Sequence, residues 1–296
     1  MSIRVPVGLI FCFAVLSSTV QAAPVLVDSA WLEAHYQDSA VVIVDMTDDD
    51  LQYTRFHLPG AVRLAYHELL QPRRPGKPAA RLDDAQFAAL LGGLGITRNT
   101  HVVIYDDMGG LNAGRLFLEL ERIHHPEVSV LDGGLVKWVL SGKRVDNIPH
   151  LRKPVQYQSG TQRRTNLATL ADVQRVAGPD ASVLLDVRSR DEYTGNPKEA
   201  RSGHVPGARW WPWEQSISMG SGFVFQEADK LEAGLDKLGI KDRHAPLVLY
   251  CQSGHRASQS YLALRHLGFD NVRVHTGSML EYLIDKAAPL TRGLTP

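Results

Sequence analysis

One short stretch combines residue types suited to nucleophilic chemistry: Tyr250-Cys251-Gln252-Ser253-Gly254-His255-Arg256-Ala257-Ser258. A thiol becomes a nucleophile as its thiolate, and positive charge or free backbone N–H groups nearby favour that form. Arg256 supplies a charge that does not titrate away. Gly254 permits a loop conformation that a side chain would hinder. The stretch reads as a reactive-cysteine loop. The competing reading is a buried structural cysteine, and the polar, glycine-containing loop argues against it.

The flanking residues say what must hold the loop. Leu247-Val248-Leu249-Tyr250 has the length and composition of a buried strand, and a helix-period run, Tyr261–Leu264 to Leu267-Gly268, follows the loop. Cys251 is therefore expected at a strand's C-terminal end, facing a helix N-terminus with its free amides and positive dipole end. The pattern recurs earlier in the chain. Val41–Asp45 matches Val183–Asp186, His57-Leu58-Pro59-Gly60-Ala61 matches His204-Val205-Pro206-Gly207-Ala208, and Leu94-Gly95-Ile96 matches Leu238-Gly239-Ile240. Val102–Tyr105 matches Leu247–Tyr250, and Asp132-Gly133-Gly134 matches Thr276-Gly277-Ser278. This is duplication of a whole domain. Helical candidates Leu82–Leu91, Arg115–Arg122 and Leu135–Leu140 have counterparts at Lys230–Leu238, Ser258–Leu267 and Ser278–Asp285. Strand-like runs alternating with helical ones predict, in each half, a mainly parallel sheet flanked by helices, with catalytic loops at the strands' C-terminal ends.

The chain of 296 residues is long enough for two cores, with 44% hydrophobic and 22% charged residues. Its 32 basic and 32 acidic residues give no net charge, so nothing points to nucleic acid or an anionic membrane surface as a partner. Arg4, the apolar run Val5–Leu16 and the small-residue stretch ending at Ala22 form the pattern of a secretory signal peptide over residues 1–22, cleaved after Ala22. A retained N-terminal anchor is the alternative, although the run is short for a membrane span. The mature chain is expected to be periplasmic or secreted and free of the membrane. Cys12 leaves with the signal, so Cys251 is then the only cysteine. A lone thiol in an oxidising compartment is more readily kept for reactivity than for structure. The expected organisation is a first domain over 24–145, a polar and basic linker over 146–166, and a second domain over 167–296.

The ordered set Asp186-Val187-Arg188, Glu192-Tyr193, Gly203–Ala208, Tyr250 and the Cys251–Arg256 loop resembles the rhodanese (thiosulfate sulfurtransferase) family in its tandem form. The resemblance runs from Val25 to the C-terminal region. It implies two doubly wound α/β domains, only the second of which carries the cysteine. Asp106 stands at the matching position of the first half, in Tyr105-Asp106-Asp107-Met108-Gly109-Gly110. A carboxylate cannot carry sulfane sulfur, so that half is expected to be an inactive scaffold. The implied chemistry is two-step transfer: the Cys251 thiolate takes the outer sulfur of an anionic donor such as thiosulfate, and cyanide or a thiol removes it from the persulfide. Gln252, Ser253, Gly254, His255 and Arg256 would bind the substrate, their amides converging on the sulfur. Arg188 would hold the donor's anionic end, with a salt bridge to a neighbouring carboxylate as its structural alternative. No metal or organic cofactor is implied.

The loop departs from the family's best-known forms. Thiosulfate-type eukaryotic loops carry basic residues directly after the cysteine, whereas mercaptopyruvate-type loops read cysteine-glycine-serine-glycine-valine-threonine. Here Gln252 and Ser253 are neutral and the charge falls at Arg256. Thiosulfate is the expected donor, with 3-mercaptopyruvate or a non-enzymatic persulfide carrier as alternatives. A phosphatase or arsenate-handling loop would place arginine at the sixth position after cysteine, where Ala257 stands, so the tighter loop favours sulfur. His57 and His204, in matched turns, are expected to be structural. His124-His125 lacks a metal-ligand pattern, and Trp210-Trp211-Pro212-Trp213 suits core packing or a pocket mouth. A monomer is expected.

Overall fold

The computed structural model describes residues 23–72, 78–175 and 182–296. The expected signal peptide, its cleavage site and Cys12 lie outside the described residues. In the first half, strands β1 (Leu26–Val27), β2 (Val41–Asp45), β3 (Val62–Arg63), β4 (His101–Tyr105) and β5 (Glu127–Leu131) form one sheet in the order β1-β5-β4-β2-β3, every pair parallel. Every residue of β2 and β4 is buried, as expected of central parallel strands covered on both faces. The covering helices are α1 (Ser29–His35), α2 (Asp50–Arg55), α3 (Asp84–Gly93), α4 (Ala113–Arg122) and α5 (Gly134–Leu140).

The second half repeats the plan. Helix α6 (Leu170–Gln174) precedes β6 (Val183–Asp186), α7 (Arg190–Thr194) and β7 (Arg209–Trp210). A small antiparallel hairpin, β8 (Ile217–Ser218) and β9 (Val224–Phe225), leads into α8 (Ala228–Asp236), β10 (Leu247–Tyr250), α9 (His255–His266), β11 (Val272–Val274) and α10 (Ser278–Tyr282). The sheet order β11-β10-β6-β7 is again fully parallel. The strand corresponding to β1 shrinks to a single parallel bridge, Leu167 to Val274. In the first sheet the order reverses between β2 and β4, and in the second between β6 and β10. The crevice at a doubly wound sheet's reversal point is where its ligands bind. In the second half that point lies at the C-terminal ends of β6 and β10, which deliver Asp186-Val187-Arg188 and Cys251.

The matched turns do matched work. His57 stacks on Tyr53 at 4.0 Å between ring centroids, and His204 on Tyr193 at 3.7 Å. Each imidazole Nδ1 bonds its partner tyrosine's carbonyl, at 2.7 and 2.8 Å. Both histidines are fully buried, in keeping with the structural role expected. Trp211 and Trp213 lie in the core, while Trp210 donates its indole N–H to the Arg188 carbonyl at 2.9 Å.

The halves are not joined by the linker alone. Leu116 and Phe117 of α4 belong to the same apolar core as Tyr261 and Leu262 of α9. The backbones approach so closely that a Cβ on Gly114 would fall 2.9 Å from both Gln259 Cα and the Ser258 carbonyl oxygen. Glu121 of α4 takes the Arg265 guanidinium at 3.1 Å. Residues 147–165 form no helix or strand, and two of their arginines are paired with the first half. Arg163 pairs with Asp84 at 3.1 Å and Arg164 lies 3.7 Å from Glu121. Tyr157 is buried, with its hydroxyl 2.9 Å from His125 Nδ1.

Candidate active site

Cys251 is the first residue beyond β10 and is fully buried. Four residues on, the chain enters α9, whose N-cap is Gly254 at φ +84°. That left-handed turn aims the Gly254 amide at the Cys251 sulfur, 3.1 Å away. A side chain there would be strained, and its Cβ would also meet the Thr276 carbonyl oxygen at 2.6 Å. Of the amides expected to converge on the sulfur, Gly254 is the one within hydrogen-bond distance. The loop's carbonyls are held from the far side by α10: Met279 N–H donates to Cys251 O at 3.1 Å, and Leu280 N–H to Gln252 O at 3.0 Å.

A residue that sequence reasoning did not single out completes this bracket. Ser278 Oγ accepts the Cys251 N–H at 3.0 Å, donates to the His275 carbonyl at 2.7 Å and lies 4.0 Å from the sulfur. It sits at φ +50°, a conformation that favours glycine, and Gly134 holds φ +49° at the matched position of the first half. Strain of this kind gathers at functional sites. The signal in the sequence was a serine replacing a glycine between otherwise matched turns.

Arg256 occupies the first turn of α9 and makes a bidentate pair with Glu192, at 2.6 and 2.8 Å. Glu192 is also the capping-box residue of α7, accepting from Ser189 Oγ at 2.9 Å. Burial pushes the Glu192 carboxyl up, but the Arg256 and Ser189 hydrogen bonds outweigh it and hold the group at about 2. Burial works against the Arg256 charge, and Glu192 together with the nearby Cys251 more than restores it.

Arg188 makes the salt bridge that was its structural alternative and also lines a cavity beside the loop. Its guanidinium grips Asp186 through Nε at 3.0 Å and Nη2 at 2.6 Å, and Nη2 also reaches the Gly203 carbonyl at 2.8 Å. Both members of the pair are buried. The carboxylate that claims it is Asp186, rather than Asp191 or Glu192, which follow it in the sequence. Arg188 and Gln252 line a cavity of about 350 Å³ with Glu192, Arg201 and Met279.

The first half contributes to the same site. Tyr66 packs against His255 at a tilt, 4.3 Å between ring centroids, and His255 Nε2 lies 2.7 Å from Asn112 Oδ1. Burial, with Arg115 and Arg256 nearby, pushes the His255 imidazole down to about 4. Tyr66 and Ser253 line a second cavity of about 630 Å³ with His67, Leu70, Gln71 and Leu280. Asp106 occupies the place of Cys251 and is enclosed by its own loop. Its carboxylate accepts the amides of Met108, Gly110, Asn112 and Ala113, at 3.0, 2.9, 2.8 and 3.0 Å. Burial pushes this carboxyl up, against the pull of those four bonds. The amide nest of the first half is thus filled by its own side chain. Among the described residues no group of three His, Cys, Asp or Glu stands together to hold a metal ion.

The two halves are matched parallel-sheet domains, one with a buried thiol at its reversal point and the other with an aspartate at the same place. Residues 28–141 and 169–285 each match the rhodanese-like domain, and the chain belongs to the rhodanese family. It is 31% identical over 286 residues to the sulfur carrier protein TtuD of Thermus thermophilus, covering 91% of this chain and 97% of that protein. It is 30% identical over 274 residues to the thiosulfate sulfurtransferase of Corynebacterium glutamicum, covering 87% of each. Among solved structures, the 3-mercaptopyruvate sulfurtransferase SseA of Escherichia coli shares the fold at a TM-score of 0.74 and 23% identity, over 86% of this chain and 99% of that one. The chain is a sulfurtransferase of the rhodanese type.

Proposed function

We propose that the protein moves sulfane sulfur from thiosulfate through a Cys251 persulfide to cyanide or a thiol. The observation that carries this reading is the placement of Cys251: a lone described thiol, buried at the end of β10, with the Gly254 amide on its sulfur and Arg256 beside it. The thiolate attacks the outer sulfur of the donor, forming an S–S bond as the bond between the two thiosulfate sulfurs breaks, and sulfite leaves with that electron pair. The acceptor then attacks the outer persulfide sulfur and restores the thiolate. The Arg256 charge acts on Cys251, and a positive charge there suits an anionic donor such as thiosulfate. Gln252, Ser253, His255 and Arg188 frame the approach, Arg188 chiefly by fixing Asp186 under the loop.

A periplasmic or secreted location is part of the same proposal, supported by the leader pattern of residues 1–22, as is a monomer, supported by the apolar core the two halves share. A carrier reading has one observation in its favour, the name of the Thermus relative. Intact mass after thiosulfate treatment is expected to rise by one sulfur in the wild type and not in Cys251→Ser. Steady release of sulfite and thiocyanate with cyanide distinguishes an enzyme from a carrier, which loads once and stops. Equal sulfur loading of the serine variant would sink the assignment of Cys251.

A further inference from the structure

The half without a nucleophile sends one side chain into the catalytic loop. Asn112 is 4% exposed and each of its polar groups is committed. Its backbone N–H is one of the four amides on the Asp106 carboxylate, and its Nδ2 donates to the Met46 carbonyl at 2.9 Å. With Nδ2 fixed as the donor, Oδ1 must be the atom facing His255, so the proton between them belongs to His255 Nε2. His255 is the residue directly after Gly254, whose amide lies on the Cys251 sulfur. Tyr66 packs at a tilt against the same imidazole.

We propose that Asn112 is a positioning residue for sulfur transfer: through His255 Nε2 it anchors the first turn of α9 and so keeps the Gly254 amide on the Cys251 sulfur. The filled nest around Asp106 then has a use. An empty or ligand-dependent loop would let Asn112 drift, whereas a loop closed on its own carboxylate presents Asn112 at a fixed place. The first half acts on the chemistry by geometry and carries no sulfur itself. Releasing His255 frees the start of α9, and the amide that favours thiolate and persulfide is the first group to leave the sulfur. Arg256, tied to Glu192 on the far side of that turn, keeps its place, so donor binding is affected less than sulfur attack.

The inference rests on Cys251 as the nucleophile, and the test is arranged so that the donor's identity does not decide it. The full chain is prepared as Asn112→Ala, His255→Phe, the double variant and His255→Gln, each checked for a folded circular dichroism spectrum. Iodoacetamide alkylation of Cys251, which needs no sulfur donor, is measured beside thiosulfate kinetics. Each of the first two variants is expected to lose roughly three- to ten-fold in alkylation rate and in kcat, the scale of one neutral hydrogen bond, with KM for thiosulfate little changed. The double variant is expected to lose no more than the worse single one, because both remove the same hydrogen bond. His255→Gln keeps an N–H donor near the Nε2 position and is expected to recover part of the loss. Should Asn112→Ala unfold, the two His255 variants carry the test alone, since they leave the Asp106 nest intact. Wild-type alkylation in the folded single variants, or losses that multiply in the double one, would overturn the proposal.

Discussion

Two arginines reach the site, and their partners separate their roles. Arg188 compensates Asp186, whose carboxylate is wholly buried, so removing the guanidinium leaves an uncompensated charge in the core. Breaking such a pair typically costs about 3–5 kcal/mol. Arg188→Ala is expected to lower the melting temperature by on the order of 10 °C, with alkylation of Cys251 in the folded fraction nearly unchanged. Arg256 is partly exposed, and its partner Glu192 keeps Ser189 when the arginine goes. Arg256→Ala should therefore stay folded and weaken thiosulfate use by roughly tenfold, the loss of one charge-assisted hydrogen bond. Thermal denaturation and thiosulfate kinetics, run on both variants, read the distinction directly. If Arg188→Ala keeps wild-type stability and loses only donor affinity, Arg188 is the donor's partner and the buried pair is incidental. The sequence displayed both arginines, but the carboxylate each would take depends on how β6, α7 and α9 converge, and no spacing encodes that.

At the scale of elements, the paired loops after β4 and β10 are one design with two fillings. In the second half the loop surrounds a sulfur and offers it the Gly254 amide. In the other half four amides close on Asp106. Asp106→Ala removes the acceptor from four donors, three of them buried, and several kcal/mol of destabilisation are expected at about 1–3 kcal/mol per buried orphaned group. Its melting temperature is expected to fall well below that of Asn112→Ala. Its turnover should fall no further than in Asn112→Ala, because Asn112 is the route by which that loop reaches Cys251. Turnover lost as completely as in Cys251→Ser would mean that the first half takes part in the chemistry. Much of this architecture is legible in the sequence. Apolar runs ending in Asp45, Asp186, Tyr105 and Tyr250 mark the central strands, since period and burial follow from local composition. The glycine at 254 and the cysteine at 251 mark the loop for the same reason. What a linear pattern cannot display are contacts between halves, such as Asn112 with His255, where residues 143 positions apart in the chain are joined only by packing. The capping box at Ser189 is readable in principle, but the recruitment of its Glu192 by Arg256 is not.

At the scale of the molecule, the catalytic loop stands at the head of a helix whose flank is the seam between halves. Helix α9 starts at His255 and packs along α4 with Gly114 at the closest approach, so the seam's spacing and the loop's position are mechanically one thing. Two glycine substitutions in helices test this. Gly93 ends α3 with nothing within 4 Å of the place a Cβ would take, so Gly93→Ala is expected to be neutral or to stabilise by roughly 0.5–1 kcal/mol through backbone entropy alone. Gly114→Ala gains the same helix propensity, yet its methyl would lie 2.9 Å from backbone atoms of α9 that cannot turn aside. Overpacking of this sort costs about 1–3 kcal/mol, and here the strain can be relieved only by moving α9 away from α4. A hydrogen-bonded helix shifts as a rigid rod, so a displacement at the seam carries to the loop at its head. The expected result is a lower melting temperature together with slower alkylation of Cys251. A Gly114→Ala protein that loses stability but alkylates Cys251 at the wild-type rate would show that the loop is held by β10 and α10 alone, with the seam serving only to keep the two halves together.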